Sequence, residues 1–356
     1  MSKQEVCRVA EGREPHNPGE LSYDYRLDQL SSLSCYRMLT MMPLEETRLL
    51  ARVAFLYYMS GMKQSEIADQ LDLSQATVSR LLRRAHETGI VRISLATPPD
   101  VFTELEDALT KRYKLKSAIV VDCDPDDDDE QIQQRLGMAA AYYVEASLGR
   151  DEVIGLSSWS ATLLAMVDAM HPLNRQPGTP VVQILGGLGN PSASIYAARL
   201  TERFTNLVRG TAIYLPAPGV VPSKETRDSL LQDPYIGQAA AHFDQITLAL
   251  VGIGSLEPSV LLSRSGNVFS AEELETLRQN GAVGDVCLRF FGSDGQSITT
   301  ALDKRIMSIQ RDQLRRVRRI VGIAGGKRKR EAIRAALLGG WVNVIITDRF
   351  TAEFLL

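Results

Sequence analysis

Residues 64–80 read QSEIADQLDLSQATVSR, and their spacing decides the fold of the amino-terminal part of the chain. A helix runs from about Gln64 to Leu71. Within it Ala68 sits where two helices cross closely, because a larger side chain there would push them apart. Four residues on, Asp72 takes a turn position that needs a positive φ, which glycine fills most often and aspartate tolerates. Leu73, Val78 and Leu81 then point back into a small core. Ser74 is a natural N-cap for a third helix from about Gln75 to Thr88. Upstream, Leu49, Leu50, Val53, Ala54 and Tyr57 share one helical face, and Gly61 ends that helix. Downstream, Gly89 stops the third helix. Val91, Ile93 and Leu95 alternate with Arg92 and Ser94, as in a wing-like strand. This is the pattern of a helix-turn-helix of winged type, whose third helix enters the major groove of DNA.

The residues on that third helix fit the task. Gln75, Ala76, Thr77, Ser79 and Arg80 lie near its amino end, where base contacts fall. Glutamine pairs bidentately with adenine and arginine with guanine, while alanine or a threonine methyl meets the thymine methyl. Arg83 and Arg84 follow and suit phosphate contacts, and Arg92 on the strand completes the expected DNA-facing set. The competing reading is a helical hairpin whose arginines only solvate a surface. The coincidence of Ala68, the turn, the cap and the arginine cluster favours DNA.

Beyond residue 96 the pattern changes. Thr97-Pro98-Pro99-Asp100 is a break, since two prolines continue neither a helix nor a central strand. Val101, Leu105, Leu109 and Tyr113 recur at helical spacing, in a helix that joins two domains or packs against another subunit. From Ser117 onward short apolar runs alternate with helical segments. The runs are Ala118–Val121, Val153–Leu156, Val181–Leu185, Ala212–Leu215, Ile246–Ile253, Val283–Leu288, Ile320–Ala324 and Val342–Ile346. Such runs between helices mark a parallel sheet covered on both faces, in an open α/β domain of Rossmann type. The chain therefore divides into a poorly structured extension over 1–42, with a short helix over Leu27–Leu39 and interruptions at Gly12, Pro15, Pro18 and Gly19. A helix-turn-helix domain over 43–96, a linker and connecting helix over 97–116, and an α/β domain over 117–356 follow.

Composition bounds the function classes. The chain has 356 residues, 44% hydrophobic and 23% charged, which suits a globular protein of about two domains. No stretch approaches the ~20 apolar residues of a membrane span, and the polar start Met1–Glu5 lacks a secretion signal, so a cytoplasmic location is expected. Cys7, Cys35, Cys123 and Cys287 form no C-x-x-C pair, and His16, His86, His171 and His242 show no metal spacing. No metal or cofactor is expected. The acidic run Asp124–Glu130 reads as a solvated helix start favoured by the helix dipole, rather than a metal site. The basic stretch Arg315–Arg319, with Lys327–Arg330 and Arg334, reads as solvated flanks plus a ligand loop, rather than a second nucleic-acid surface.

Several separated motifs, in order, carry a resemblance to SorC-type sugar-responsive regulators. Gln64–Leu95 resembles that family's helix-turn-helix, above all in Thr77-Val78-Ser79-Arg80-Leu81-Leu82 and Gly89-Ile90-Val91-Arg92-Ile93. Val182-Gln183-Ile184-Leu185-Gly186-Gly187-Leu188-Gly189 looks like the family's glycine loop. Gly281-Ala282-Val283-Gly284-Asp285-Val286 with Arg289-Phe290-Phe291, Ile323-Ala324-Gly325-Gly326-Lys327-Arg328-Lys329 and Ile345-Ile346-Thr347-Asp348 complete the set. The resemblance implies a DNA-binding module paired with a domain similar to sugar-phosphate isomerases and deaminases. It also implies an assembly, commonly a tetramer, and a small, often phosphorylated, sugar effector that changes operator affinity. It puts the phosphate-site lysine at Lys329, with Lys327 and Arg328 as neighbours able to substitute. Asp285 becomes the acceptor for sugar hydroxyls, with a strand-end cap as its alternative.

Chemistry supports the same region. Gly155–Thr162 follows a strand and opens a helix, where hydroxyls and free N–H groups suit an anion. This brings Ser158, Trp159, Ser160 and Thr162 to the ligand, Trp159 either stacking on it or filling core. Gly186, Gly187, Leu188 and Gly189 also follow a strand, as do Gly252–Ser255 and Gly325-Gly326. All fall on the carboxyl edge of the sheet, where open α/β folds bind ligands, although tight turns need glycine in any case. Many relatives carry glycine where Ser160 stands, and a side chain there narrows the approach of a phosphate to the backbone.

The function read from the sequence is a DNA-binding transcription regulator of carbohydrate metabolism, without catalysis. Its expected partners are operator DNA, a small sugar or sugar-phosphate effector and further copies of itself in a dimer or tetramer, with no membrane. Two other functions compete. A sugar-phosphate isomerase or deaminase needs a positioned base and a partner acid, and Asp285 has no convincing second group. A DNA-binding scaffold with an unused pocket is the third reading.

Overall fold

The computed structural model describes residues 44–91, 101–267 and 269–356. The chain forms two compact units that divide at Ala96 and Thr97.

Among its described residues the first unit holds three helices, α1 (Leu44–Tyr58), α2 (Gln64–Gln70) and α3 (Gln75–Glu87). Val53, Leu56, Ile67, Ala68, Val78 and Leu82 bury their side chains together, and Leu50, Ala54 and Ala85 form a second small cluster. Asp72 has φ +52°, the left-handed conformation that the turn requires, and Gly61 and Gly89 end their helices at φ +67° and +74°. Ser74 caps α3, accepting from the Thr77 N–H at 3.1 Å. The stripe on α1 is rotated from the expected one, with Leu49 exposed and Leu56 buried. Leu73 and Leu81 are partly buried and pack against this core as expected, and Leu82 is buried within it. Residues 1–42, the strand expected over 92–95 with Arg92, and the 97–100 break lie outside the described residues.

Among its described residues the second unit is built on ten strands. They are β1 (Ser117–Val121), β2 (Ile154–Leu156), β3 (Thr179–Gln183), β4 (Gly210–Ile213), β5 (Leu248–Val251), β6 (Gly254–Ser255), β7 (Ala282–Val286), β8 (Arg289–Gly292), β9 (Arg319–Ile323) and β10 (Val344–Asp348). The helices are α4 (Thr103–Tyr113), α5 (Asp129–Ser147), α6 (Ala161–Ala169), α7 (Pro191–Leu207), α8 (Lys224–Gln232), α9 (Pro234–Ala241), α10 (Val260–Ser265), α11 (Ala271–Gln279), α12 (Arg311–Arg316), α13 (Arg330–Leu338) and α14 (Arg349–Leu355). Seven strands pair in parallel in the order β1-β10-β9-β5-β2-β3-β4.

Both faces of this sheet are buried, which is why its strands read as unbroken apolar runs. Leu248 and Leu250 join Ile154, Leu156, Ile323 and Ile346 against α5, α6 and α7. Ala249 and Val251, one residue out of phase, face the opposite layer with Val120, Ile345 and Ile333. Helix α4 belongs to that layer. Its Leu109 is fully buried there, and the Tyr113 hydroxyl donates to the Leu355 carbonyl at 2.8 Å.

One run departs from the parallel reading. Residues 282–286 leave the main sheet and form a small antiparallel sheet in the order β6-β7-β8, with Gly254 opposite Asp285 and Asp285 opposite Phe290. Cys287 and Leu288 turn the chain between β7 and β8 at φ +54° and +61°. An apolar run buried on all sides looks the same in sequence whichever way its neighbours run.

The strand order locates the ligand edge. From β2 the chain moves outward through β3 and β4, whereas β5, β9 and β10 succeed one another on the other side. The order reverses between β2 and β5, and the crevice beyond their carboxyl ends is where open α/β sheets hold ligands.

Candidate functional site

A cavity opens at that reversal. It is lined by Ser157, Trp159, Ser160 and Thr162 after β2, and by Gly252, Gly254 and Ser255 around the end of β5. Asp285 and Cys287 contribute from β7 and its turn, Arg328 and Lys329 from the loop after β9, and Gln133 from α5.

Helix α6 points its amino end at the cavity. Ser160 is its N-cap, with Oγ accepting from the Leu163 N–H at 3.2 Å. Its hydroxyl is therefore occupied by the helix. Ala161 and Thr162 also line the cavity, and their N–H groups belong to the first turn, which has no intrahelical acceptors. Gly252 packs against Ser160, since a Cβ there would stand 3.1 Å from Ser160 Oγ. The side chain at 160 thus serves as a helix cap.

Asp285 is buried. Its Oδ2 accepts from the Leu288 N–H at 2.8 Å, and Gly254 is required opposite it because a Cβ there would fall 2.1 Å from Oδ1. Burial pushes its carboxyl up to about 6, although the Leu288 bond and the Lys329 charge act against the rise. The carboxylate caps the β7–β8 turn, as its strand-end reading expects, and also lines the cavity. Burial, and then the neighbouring Arg328 charge, hold the Lys329 ammonium below its usual range, with Asp285 and Asp129 opposing. Arg328 Nε lies 3.6 Å from Asp129 Oδ2. The loop that presents both cations is fixed by Asp348. Its Oδ2 accepts from the Gly326 N–H at 2.7 Å, and a Cβ on Gly325 would approach that oxygen to 2.3 Å.

Other expected residues sit elsewhere. The Ser158 hydroxyl donates to the Leu185 carbonyl at 2.6 Å and is buried away from the cavity. Trp159 is 6% exposed and donates from Nε1 to the Gly186 carbonyl at 2.8 Å. It packs with Leu185, Leu288 and Phe290, filling core at the cavity wall. Gly186, Gly187, Leu188 and Gly189 do not line the cavity. Added Cβ atoms would strike the Pro218 carbonyl oxygen (2.4 Å) at 186, Gln183 Oε1 (2.8 Å) at 187 and the Ser265 carbonyl oxygen (2.4 Å) at 189. The glycines permit close passage of neighbouring backbone, and Leu188 is half exposed. Sequence reasoning missed Gln133, Ser157, Glu257 and Cys287 as cavity residues. Ser157 was legible from its place beside the helix start, whereas Gln133 lies on a helix remote in sequence and carries no local signal. Burial raises the Cys287 thiol to about 12, so it is no nucleophile near neutral pH.

The acidic run behaves as a helix start. Asp128 caps α5 through the Glu130 and Gln131 N–H groups at 2.9 and 2.8 Å, and Asp124 and Asp127 hold Arg135, each at 2.9 Å. Among the described residues, no cluster of His, Cys, Asp or Glu could hold a metal ion. No helix among them is long and apolar enough to cross a membrane.

On α3, Gln75, Ala76, Arg80, Arg83 and Arg84 are exposed, and Thr77 and Ser79 are half-buried. Arg80 Nη2 donates to Thr77 Oγ1 at 3.2 Å, in line with the Ser74 cap. Arg84 forms an ion pair with Glu46 of α1.

Comparison with known proteins agrees with both halves. Residues 98–356 match the family described as "Putative sugar-binding domain", and residues 49–87 match "Sigma-70, region 4", a helix-turn-helix module. The deoxyribonucleoside regulator of Bacillus subtilis is 32% identical over 87% of this chain and 98% of its own. The sorbitol operon regulator of Klebsiella pneumoniae is 30% identical over 88% of this chain and 98% of its own. The crystal structure of that full-length regulator, SorC, superposes with a TM-score of 0.66 at 29% identity, covering 87% of this chain and 98% of the other. A helix-turn-helix followed by an open α/β sugar-binding domain defines a class of transcriptional regulator. The chain belongs to the SorC family of that class.

Proposed function

We propose that the protein regulates carbohydrate genes by binding operator DNA through α3, under the control of a small phosphorylated sugar or polyol held in the cavity between β2 and β5. The observation that carries this reading is the convergence of three groups on one cavity at the strand-order reversal. They are the amino end of α6, the Lys329 ammonium and the Asp285 carboxylate. The phosphate lies against the first-turn N–H groups of α6 and is neutralised by Lys329. Asp285 accepts hydrogen bonds from sugar hydroxyls. On α3, Gln75, Ala76, Thr77, Ser79 and Arg80 read base edges, while Arg83, Arg84 and Arg92 hold phosphates. Arg84 must exchange Glu46 for a phosphate to do so.

The effector acts by favouring one arrangement of paired recognition helices in an even-numbered assembly in the cytoplasm. No turnover is proposed, because the relatives are named as regulators, although Glu257 joins Asp285 in the cavity wall. A thermal-shift screen of free and phosphorylated sugars tests the proposal. A ligand at ~100 times its dissociation constant stabilises the folded protein by about 2.7 kcal/mol. A rise with a phosphorylated sugar that Lys329→Ala removes is the expected result. A rise only with unphosphorylated polyols, or no rise at all, overturns the phosphate assignment, and product formation from a sugar phosphate overturns the non-enzymatic reading.

A further inference from the structure

The loop after β9 places two cations side by side at the cavity. Lys329 is offset first by Asp285 and then by Asp129, and Arg328 by Asp129, whose Oδ2 is 3.6 Å from Arg328 Nε. Asp129 is the first residue of α5, and Gln133, one turn on, lines the same cavity. The loop also runs close to Asp129 at Gly326, where a Cβ would lie 3.2 Å from Asp129 Oδ1. The two carboxylates differ in surroundings. Asp285 is buried, whereas the Asp129 side chain is 57% exposed and loses little when its cation leaves, since water takes the place of the arginine.

We propose that Arg328 and Asp129 form a charge latch that selects a dianionic effector group. A neutral polyol leaves the Arg328–Asp129 pair intact. A phosphate monoester carries enough charge to engage Lys329 and Arg328 together, and Arg328 then exchanges Asp129 for the phosphate. Asp129 is a built-in competitor that sets how much negative charge the ligand must bring. It holds the affinity for phosphate below what the two cations alone would give. This inference rests on the cavity binding phosphate, as proposed above.

Isothermal titration of the full-length protein with inorganic phosphate, in the wild type and in Asp129→Asn, Arg328→Gln and the double variant, tests it. Removing the competing charge of a partly exposed pair should tighten phosphate binding about two- to five-fold in Asp129→Asn. Arg328→Gln should weaken it, and in the double variant Asp129→Asn should bring a much smaller gain, because Asp129 acts chiefly through the Arg328 that it pairs with. Equal affinity in wild type and Asp129→Asn, with phosphate bound by both, overturns the latch and leaves the phosphate site standing. A gain from Asp129→Asn that is undiminished without Arg328 also overturns it, reducing Asp129 to a general field effect. If neither protein binds phosphate while both unfold at the same temperature, the phosphate reading of the cavity falls and the latch falls with it.

Discussion

Asp285→Asn should make the unliganded protein more stable above about pH 6, although it removes a group assigned to the effector. The carboxyl is held near 6, against 3.8 for the unperturbed group, chiefly because burial disfavours the charged form. A raised carboxyl pKa means that the folded state binds more protons than the unfolded state between those values. Stability contributed by the protonated acid is present at low pH and is lost as pH rises through the folded value. A shift of that size corresponds to about 3 kcal/mol in full, at about 1.4 kcal/mol per unit. About half of it falls between about pH 5 and about pH 8. Asparagine carries no charge to bury, and its Oδ1 can still accept from the Leu288 N–H, the bond that the carboxylate makes at 2.8 Å. The difference in unfolding free energy between Asp285→Asn and wild type should therefore grow by about 1–2 kcal/mol in favour of the variant between those pH values. Urea denaturation followed by circular dichroism at several pH values gives the comparison directly. A difference that stays flat with pH, or that grows in favour of the wild type, would refute the burial argument and show that Asp285 is well solvated through the cavity mouth.

Two further predictions concern α3. Arg80→Ala should weaken specific operator binding by ~1–3 kcal/mol, the scale of one bidentate base contact, with little change on unrelated DNA. Fluorescence anisotropy with both duplexes reads the two affinities, and an equal loss on each would make Arg80 a phosphate contact. Ser74→Ala should lower the stability of the helix-turn-helix by about 1 kcal/mol, the usual cost of losing an N-cap. It should also loosen Arg80, because Ser74 Oγ lies 2.8 Å from the Thr77 hydroxyl that receives the Arg80 guanidinium. Thermal melts and operator binding should fall together in that variant, and a melt unchanged from wild type would sink the capping argument.

What the sequence revealed depended on whether the controlling interaction was local. The turn of the helix-turn-helix was legible because Asp72 and Ser74 act within a few residues of themselves, one through a positive φ and the other through the Thr77 N–H. The parallel sheet was legible because strands buried on both faces lose the polar half of their alternation. Position 283 and its neighbours were misplaced by the same logic, since burial alone does not report strand direction. The glycines at 186–189 look like a ligand loop, yet what they accommodate is Pro218, Gln183 and Ser265, remote in sequence. Glycine reports close approach without saying what approaches. Trp159 was undecidable for a related reason, as its indole N–H is satisfied by Gly186 and its ring by the core behind it.

Burial disfavours the charged forms of Asp285 and Lys329 in the cavity, and on the function proposed above this bears on how the regulator is switched. A ligand shifts an equilibrium only by the difference in its affinity for the two states. On that proposed function, the buried Asp285 carboxyl and the desolvated Lys329 ammonium would be compensated by a ligand that brings both hydroxyls and negative charge. If effector and operator DNA favour different arrangements, each must change the affinity for the other by the same factor. Regulators commonly show a coupling of about 1–3 kcal/mol, or roughly 5- to 150-fold. Titrating the effector into the protein with and without saturating operator, and the operator with and without saturating effector, should return one common factor. Two different factors would mean that more than these two equilibria are engaged, such as a change in subunit association during one titration. A factor of one in both directions would separate the cavity from the recognition helix altogether.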